Sequence, residues 1–333
     1  MVRRVGAYDV SGDLDRAAIE EAAAAIRAGA LVAMPTETVY GLAANALDER
    51  AVRRIFEAKG RPAFNPLIVH VLGTADAKRL ASRWPEAAED LVDAFWPGPL
   101  TLVVPKTAAV PPLVTAGLDS VALRSPSHPV ARALLEACGL ALAAPSANRF
   151  GAVSPTTAAH VAASLGDHVD LLLDGGPCEV GIESTVLDLT VDRPRVLRPG
   201  GVSAAALASV IGPVETVDVA LDAGQRTSPG MLSRHYAPRG KTRLVAGAAL
   251  PEALAALAAG ARIGVVVREL PAPADRRLVA WKQLGSSPEV YARGLYAALH
   301  AMDEAGATDV LIESVPEGPA WAAVRDRLRR ASA

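Results

Sequence analysis

Residues 48–72 read DERAVRRIFEAKGRPAFNPLIVHVL, a stretch in which a helical pattern gives way, after a short loop, to an apolar run. Asp48 suits an N-cap and Gly60 a C-cap, which together predict a helix that ends at Lys59. The apolar residues 67–72 then predict a buried strand. Because helices alternate with buried strands in α/β proteins, this stretch predicts an α/β fold.

The same alternation continues in both directions along the chain. A helix is predicted from Asp13 to Arg27, ahead of a strand that ends at Met34, and another helix is predicted from Ser154 to Leu165. Further strands are predicted over residues 100–105, 120–124, 140–144, 169–174, 184–189 and 195–198. Near the end of the chain, strands are predicted over 244–246, 262–268, 277–282 and 309–313, with helices over 251–259, 288–305 and 320–330.

The length of 333 residues exceeds what one hydrophobic core usually organises, so two domains are expected. Periodicity fades after residue 211 and returns near residue 244. The pattern therefore predicts a first domain over 1–211, an extended linker over 212–243 and a small C-terminal α/β domain over 244–333.

Composition excludes several classes of protein. Apolar residues make up 51% of the chain, which argues against disorder, and the net charge of -2 argues against a general nucleic-acid binder. Cys138 and Cys178 stand far apart, which favours reduced thiols in a cytoplasmic protein. The most apolar stretch, 244–267, is interrupted by Pro251, Glu252 and Arg262, so no membrane span is predicted.

Lys59 and Arg61 bracket the helix end in the opening stretch. On position alone, both cations could simply complement the negative end of the helix dipole. However, Asn65 and Pro66 lead at once into a buried strand, so the loop is tied to the core at both ends. An ammonium beside a guanidinium suits a polyphosphate. Together with the strand-end cations Arg124 and Arg198, the pair predicts a shared anion site.

Polar residues follow several of the predicted strands. Thr36 opens the loop PTETVYGL of residues 35–42, and Ser146 and Asn148 follow an apolar strand; Ser184 begins another. Such residues also occur in ordinary turns, so each alone is weak evidence. Ser154 followed by proline predicts a helix start whose free amides could hold a phosphate, although ordinary capped helices look the same.

Familiar catalytic motifs are missing from the sequence. Gly240-Lys241-Thr242 imitates the end of a phosphate-binding P-loop, but His235 stands where its first glycine belongs. No metal-ligand spacing occurs among the histidines, and no Gly-x-Ser-x-Gly elbow supports a serine nucleophile. These observations indicate an enzyme that positions its substrates and stabilises phosphoryl charge.

Taken in order, these blocks resemble the YrdC-like family, in particular its long, two-domain threonylcarbamoyl-AMP synthases. The resemblance covers about residues 30–201 and resumes at 228–231 (SPGM) and 235–238 (HYAP), the linker signature of the long form. The blocks that carry it are residues 35–42 (PTETVYGL), 59–62 (KGRP), 65–67 (NPL) and 146–148 (SAN).

The resemblance implies a YrdC-like mixed twisted sheet with flanking helices, plus a small C-terminal Rossmann-like α/β domain. It also implies a nucleotidyltransferase reaction, in which L-threonine, bicarbonate and ATP give threonylcarbamoyl-AMP and pyrophosphate. A separate tRNA threonylcarbamoyl transferase would then modify the adenosine beside the anticodon. Whether tRNA is contacted directly is left open.

Residue roles follow from the same resemblance. Lys59 and Arg61 would be the catalytic cations. Threonine would be held by Thr36, His70, Arg124, Ser146 and Ser184. ATP would be held by Lys59, Arg61, Ser120, Asn148, Ser154, Arg198, His235 and Tyr236. Mg²⁺ would be carried mostly by the phosphates, with no metal-binding residues of the protein, and the linker would fold over the pocket as a lid.

Two other functions remain compatible with parts of this reading. A carbamoyltransferase of the hydrogenase-maturation type contains a YrdC-like module, but it also carries zinc fingers for which two cysteines are too few. An RNA-binding module without catalysis would use the same cations, but it would be expected to have a basic surplus.

Overall fold

The computed structural model describes residues 2–216 and 235–333. Of these, residues 2–150, 155–179 and 183–216 form unit 1, and residues 151–154, 180–182 and 235–333 form unit 2. Most of the predicted linker, including the SPGM block, lies outside the described residues. The domain division predicted from the sequence therefore stays a prediction.

Unit 1 contains a mixed sheet of eleven strands. The strands are β1 (Arg3–Gly6), β2 (Val32–Met34), β3 (Gly41–Asn45), β4 (Ile68–His70), β5 (Leu100–Pro105), β6 (Ser120–Arg124), β7 (Leu142–Ala143), β8 (Leu171–Asp174), β9 (Thr185–Asp188), β10 (Arg195–Arg198) and β11 (Glu215–Thr216). Their order across the sheet is β1-β8-β2-β3-β7-β4-β6-β5-β9-β10-β11. Strand β11 falls within the stretch that was predicted to be extended linker.

Helices of unit 1 cover both faces of this sheet. They are α1 (Arg16–Arg27), α2 (Glu49–Lys59), α3 (Thr74–Leu80), α4 (Glu86–Phe95), α5 (Pro112–Thr115), α6 (Pro129–Cys138), α7 (Ala158–Leu165) and α8 (Ala204–Ile211). Alternate residues of β2 enter different cores: Val32 and Met34 pack with α1 and α6, whereas Ala33 packs with α2. This alternation is what a strand buried on both faces requires. The predicted mixed α/β sheet is confirmed.

Helix α2 has the ends that its sequence predicts. The side chain of Asp48 accepts hydrogen bonds from the backbone amides of Arg50 and Ala51, and Gly60 adopts the left-handed conformation at φ 61°. Lys59 is therefore the last helical residue, and Arg61 is the second residue of the loop that follows.

The predicted start of helix α7 at Ser154 is wrong. The helix begins at Ala158, where the side chain of Thr157 accepts a hydrogen bond from the amide of His160. Pro155 is not in a first helical turn because its carbonyl accepts from the amide of Tyr40, which holds it against the loop after β2. The free helix-start amides predicted at Ser154 do not form.

Unit 2 contains a four-stranded sheet with all neighbouring strands parallel. The strands are β12 (Lys241–Val245), β13 (Ile263–Val267), β14 (Leu278–Gln283) and β15 (Asp309–Glu313), in the order β12-β15-β13-β14, and the helices are α9 (Leu250–Ala255), α10 (Pro288–Glu304) and α11 (Ala322–Ala331). The predicted small Rossmann-like domain is confirmed. Within the described part of the chain, no helix is both long and apolar enough to span a membrane.

Candidate active site

Lys59 is buried at the end of α2, where it holds the loop after β7. Its Nζ donates hydrogen bonds to the carbonyl oxygens of Ser146 and Asn148, each at 2.5 Å. In return, the carbonyl of Lys59 accepts from the amide of Phe150 at 2.8 Å. Burial, and secondarily the charge of Arg61, holds the pKa of Lys59 well below its usual value. An incoming anion would therefore favour the protonated form of this lysine.

Arg61 is folded back onto its own loop. Its Nε donates to the carbonyl of Asn65 at 3.2 Å and its Nη2 to the carbonyl of Pro66 at 2.8 Å. The side-chain amide of Asn65 is buried, and neither its oxygen nor its nitrogen has a hydrogen-bond partner among the described residues. The loop predicted as an anion clamp is thus fixed to the start of β4.

His70 and Arg124 end neighbouring parallel strands and are register partners. Both side chains are buried, at 3% and 4% exposure. Burial, and then the charge of Arg124, lowers the pKa of His70 to about 3, so this imidazole is neutral at physiological pH. Arg124 Nη2 lies 2.7 Å from Oε1 of Glu37, which comes from the loop after β2.

Ser184 and Arg198 meet beside the same end of the sheet. Nε and Nη2 of Arg198 donate to the carbonyl of Ser184 at 3.1 and 3.0 Å, and Nη2 also reaches its hydroxyl at 3.1 Å. That hydroxyl shares a hydrogen bond of 2.8 Å with Thr101. Since Leu102 pairs with Leu123 in the antiparallel β5–β6 ladder, Thr101 lies level with Arg124.

These residues form two clusters in unit 1. The first, called the helix-end cluster, contains Lys59, Arg61, Ser146 and Asn148. The second, called the strand-end cluster, contains His70, Arg124, Ser184, Arg198 and Glu37. The clusters adjoin each other, because the loop that carries Glu37 leads into Gly41, which pairs with Ser146. Each cluster combines residues that the sequence assigned to threonine with residues that it assigned to ATP.

Two further predicted residues of unit 1 have clear positions. Ser120 begins β6 and is half-buried, so it lies at the opposite end of this strand from Arg124. Thr36 is buried, and its hydroxyl donates to the carbonyl of Val39 at 2.6 Å and shares a hydrogen bond with Thr38 at 2.9 Å. Thr36 therefore shapes the loop that carries Glu37.

Three predicted ATP-binding residues, Ser154, His235 and Tyr236, belong to unit 2. Tyr236 is buried, its ring lies 5.7 Å from the ring of Tyr296, and the guanidinium of Arg327 lies 5.2 Å from its centroid. The carbonyl of Ser154 is 3.1 Å from Nε2 of His300. The lid prediction concerns residues 217–234 as well, which are not described, so it stays a prediction.

Sequence reasoning missed Glu37 and Thr101 as members of the strand-end cluster. Glu37 stands between two threonines in one of the blocks that carry the resemblance. A single acidic residue in this turn-forming segment is the sequence feature that could have indicated its place in the cluster. Thr101 follows Leu100 inside an apolar strand, where nothing in the local pattern marks it. Its contact with Ser184 arises only from strand pairing.

Comparison with protein families gives two matches that together span most of the chain. The model of the Sua5/YciO/YrdC family, described as Telomere recombination, matches residues 24–200. The model described as Threonylcarbamoyl-AMP synthase, C-terminal domain, matches residues 202–333.

Individual proteins are similar over nearly the full length. The threonylcarbamoyl-AMP synthase of Pyrococcus abyssi is 45% identical over 323 residues, which cover 94% of each chain. That of Bacillus subtilis is 43% identical over 324 residues, covering 94% of this chain and 92% of that one. Among solved structures, P. abyssi Sua5 complexed with L-threonine gives a TM-score of 0.90 at 42% identity, covering 100% of this chain and 97% of that one.

Proposed function

Because this chain belongs to the Sua5/YrdC family of threonylcarbamoyl-AMP synthases, we propose that it joins L-threonine, bicarbonate and ATP into threonylcarbamoyl-AMP, with release of pyrophosphate. The observation that carries the proposal is the pair of adjoining clusters, one with Lys59 and Arg61 and the other with Arg124 and His70. One offers cations and an amide, and the other offers an arginine, a neutral histidine and hydroxyls. That division suits a polyphosphate nucleotide and an amino acid.

The helix-end cluster is proposed to hold the ATP phosphates through Lys59, Arg61 and Asn148. Lys59 and Arg61 are the proposed catalytic cations, since charge moves onto the leaving pyrophosphate. Arg198 and Ser120 are assigned to ATP as well, and so are Ser154, His235 and Tyr236 of unit 2.

Threonine is proposed to lie against the strand-end cluster. Arg124 suits its carboxylate, because a guanidinium forks onto a carboxylate through two parallel hydrogen bonds. His70, neutral and buried, has an Nδ1 without a hydrogen-bond partner among the described residues, so it is available for a substrate hydroxyl. The remaining proposed threonine contacts are Thr36, Ser146 and Ser184.

The proposed chemistry proceeds in two steps. The threonine amine attacks bicarbonate carbon, which forms the N–C bond of a carbamate and loses water. A carbamate oxygen then attacks the α-phosphorus of ATP, which forms an O–P bond and breaks the bond to pyrophosphate. The protein binds, orients and shields the reactants, and no covalent protein intermediate is needed. This second step makes the enzyme a nucleotidyltransferase.

Mg²⁺ is proposed to arrive with ATP, held mostly by the phosphates, as this ion commonly is. The helix-end cluster as defined contains no carboxylate to ligate the ion, so the phosphate oxygens would hold it. The carboxylate of Glu37 is already paired with Arg124. Bound to the phosphates, the ion would offset negative charge there.

The product of the proposed reaction needs a second enzyme to use it. Threonylcarbamoyl-AMP is an activated acyl donor, so a separate transferase is proposed to pass its threonylcarbamoyl group to tRNA. Cytoplasmic location is proposed because Cys138 and Cys178 are both free and buried. The lid, formed by the linker, is proposed to keep water from the labile carbamate.

The decisive assay is pyrophosphate release by the purified full chain. Release should require threonine, bicarbonate and ATP together. Folded protein that releases no pyrophosphate with all three, or that releases it equally without threonine, would contradict the proposed function.

A further inference from the structure

Glu37 places a buried negative charge in the strand-end cluster. The residue is 3% exposed, and its Oε1 is 2.7 Å from Nη2 of Arg124. Neither carboxylate oxygen makes an aligned hydrogen bond to any described residue. A buried carboxylate held by one ion pair and no hydrogen bonds is unfavourable for folding, so packing alone does not account for it.

The two histidines and the cysteine nearest this pair are uncharged, and the exposed Glu179 adds a negative charge that acts on His128 and Cys178. Burial, and then Arg124, lowers the pKa of His70 to about 3. Burial also lowers the pKa of His128, against the opposing charge of Glu37. The thiol of Cys178 has its pKa raised to about 12, again mainly by burial. Of the two arginines in the strand-end cluster, Arg198 donates to Ser184, and Arg124 is paired with Glu37, which cancels the charge of Arg124.

This cancellation matters because an unpaired arginine binds phosphate as readily as carboxylate. The proposed reaction brings ATP and pyrophosphate to the same chain, so Arg124 alone would attract phosphates into the place of threonine. An amino acid differs from these anions in one respect: it also carries an ammonium, which a nearby carboxylate attracts. A neutral Arg–Glu pair thus distinguishes a zwitterion from an anion.

We propose that Glu37 is a specificity-determining residue, which cancels the charge of Arg124 so that this part of the site accepts an amino acid zwitterion and rejects anions without an ammonium group. This inference rests on the proposed function. Glu37 acts through the local field and through Arg124, and it takes no part in bond formation.

The test compares two ligands by isothermal titration calorimetry on the full chain. The first is L-threonine, and the second is its deaminated analogue, in which a hydroxyl replaces the ammonium. The wild type should prefer threonine by about 100-fold, the ratio expected for unit charges roughly 6 Å apart at an effective dielectric constant near 20. In Glu37→Gln this preference should fall at least about tenfold. Pyrophosphate should then displace threonine from the variant but not from the wild type.

Two control variants separate charge from shape. Glu37→Asp keeps the negative charge and should keep most of the preference for threonine. Glu57→Gln makes the same substitution at an exposed position of α2 and should change nothing. If Glu37 merely supports Arg124 mechanically, Glu37→Gln will weaken both ligands equally and leave the preference intact, which overturns the inference.

Failure of the inference can be told apart from failure of the proposed function. A wild type that binds threonine and its deaminated analogue equally well overturns the charge-specificity role alone, even if Glu37→Gln does not fold. A folded wild type that binds neither ligand and releases no pyrophosphate overturns the proposed function, and the inference with it.

Discussion

At the scale of single residues, burial determines which protonation states the site can use. Lys59 and His70 are both basic side chains whose pKa values are lowered chiefly by burial. His70 is therefore neutral in the folded protein at physiological pH, and Lys59 loses its proton more readily than a lysine in water. Binding of phosphate beside Lys59 would favour the protonated form of this lysine.

Lys59→Met tests the proposed catalytic cation. We expect turnover to fall by about 10²–10³-fold, as when one transition-state donor is removed, because methionine keeps the length of the side chain but not its charge. The carbonyls of Ser146 and Asn148 lose a hydrogen-bond donor, so the free energy of unfolding should fall by about 1–3 kcal/mol. Steady-state kinetics and thermal unfolding measure both effects.

The matched control for that substitution is Lys106→Met. Lys106 Nζ also donates to a backbone carbonyl, that of Val110 at 2.9 Å, but outside both clusters. Lys106→Met should lose as much stability as Lys59→Met or less, and its turnover should equal that of the wild type. Equal losses of turnover in both variants would remove the reason to treat Lys59 as catalytic.

His70 predicts a pH dependence of stability. Its pKa is 6.5 in the unfolded chain and about 3 in the fold, so unfolding takes up a proton between these values. The contribution of His70 is present above pH 6.5 and is lost as pH falls toward 3. Between pH 6.5 and pH 5 the loss should be about 2 kcal/mol.

Chemical denaturation at several pH values checks this dependence. His70→Gln should abolish the loss of stability between pH 6.5 and pH 5. His168→Gln, at an exposed position, should leave that loss unchanged. A wild type and a His70→Gln variant with parallel pH curves would contradict the buried, neutral histidine.

At the scale of elements, the end of α2 positions the loop that carries Arg61. Gly60 has φ 61°, and a Cβ there would meet nothing within 4 Å. Gly60→Ala should therefore cost only backbone strain, about 1–2 kcal/mol of unfolding free energy. Since this strain acts next to Arg61, we also expect weaker ATP binding.

Gly139 provides the control, because it ends α6 with φ 62° and has the same open space around it. Gly139→Ala should lose similar stability and keep the wild-type KM for ATP. A KM for ATP that rises equally in both variants would show that the loop after α2 has no special part in binding.

Local signals explain which elements the sequence predicts. Strands β5, β6, β10 and β15 have the predicted bounds, since apolar runs and flanking polar residues mark both ends. Strand β3 is not predicted from the sequence, because its residues, GLAAN, lack β-branched side chains. The start of α7 was misplaced because Ser-Pro satisfies the capping rule while long-range pairing of Pro155 overrides it.

The site, too, is only partly predictable from local sequence patterns. The cations were recognisable because their positions at the ends of elements follow from local pattern. The division into two clusters was not, because it depends on the register of β4, β6 and β7, which the sequence does not reveal. The pairing of Glu37 with Arg124 joins residues 87 positions apart by number and comes only from the folded sheet.

At the scale of the whole molecule, net charge bears on contact with tRNA. The chain carries 34 basic and 36 acidic residues, so it has no basic surplus to neutralise phosphates. We expect tRNA to bind only weakly at physiological salt, with a Kd of about 10⁻⁴–10⁻⁶ M, typical of non-specific binding. Filter binding measures this directly, and nanomolar affinity would instead favour an RNA-binding function.

The central claim is that the full chain activates threonine through ATP at the two buried clusters. Its most direct test is pyrophosphate release with each of threonine, bicarbonate and ATP omitted in turn, for the wild type and for Lys59→Met. Release is expected from the wild type only when all three are present, and it should fall by about 10²-fold or more in the folded variant. Release that is independent of threonine, or unaffected by Lys59→Met, would contradict it.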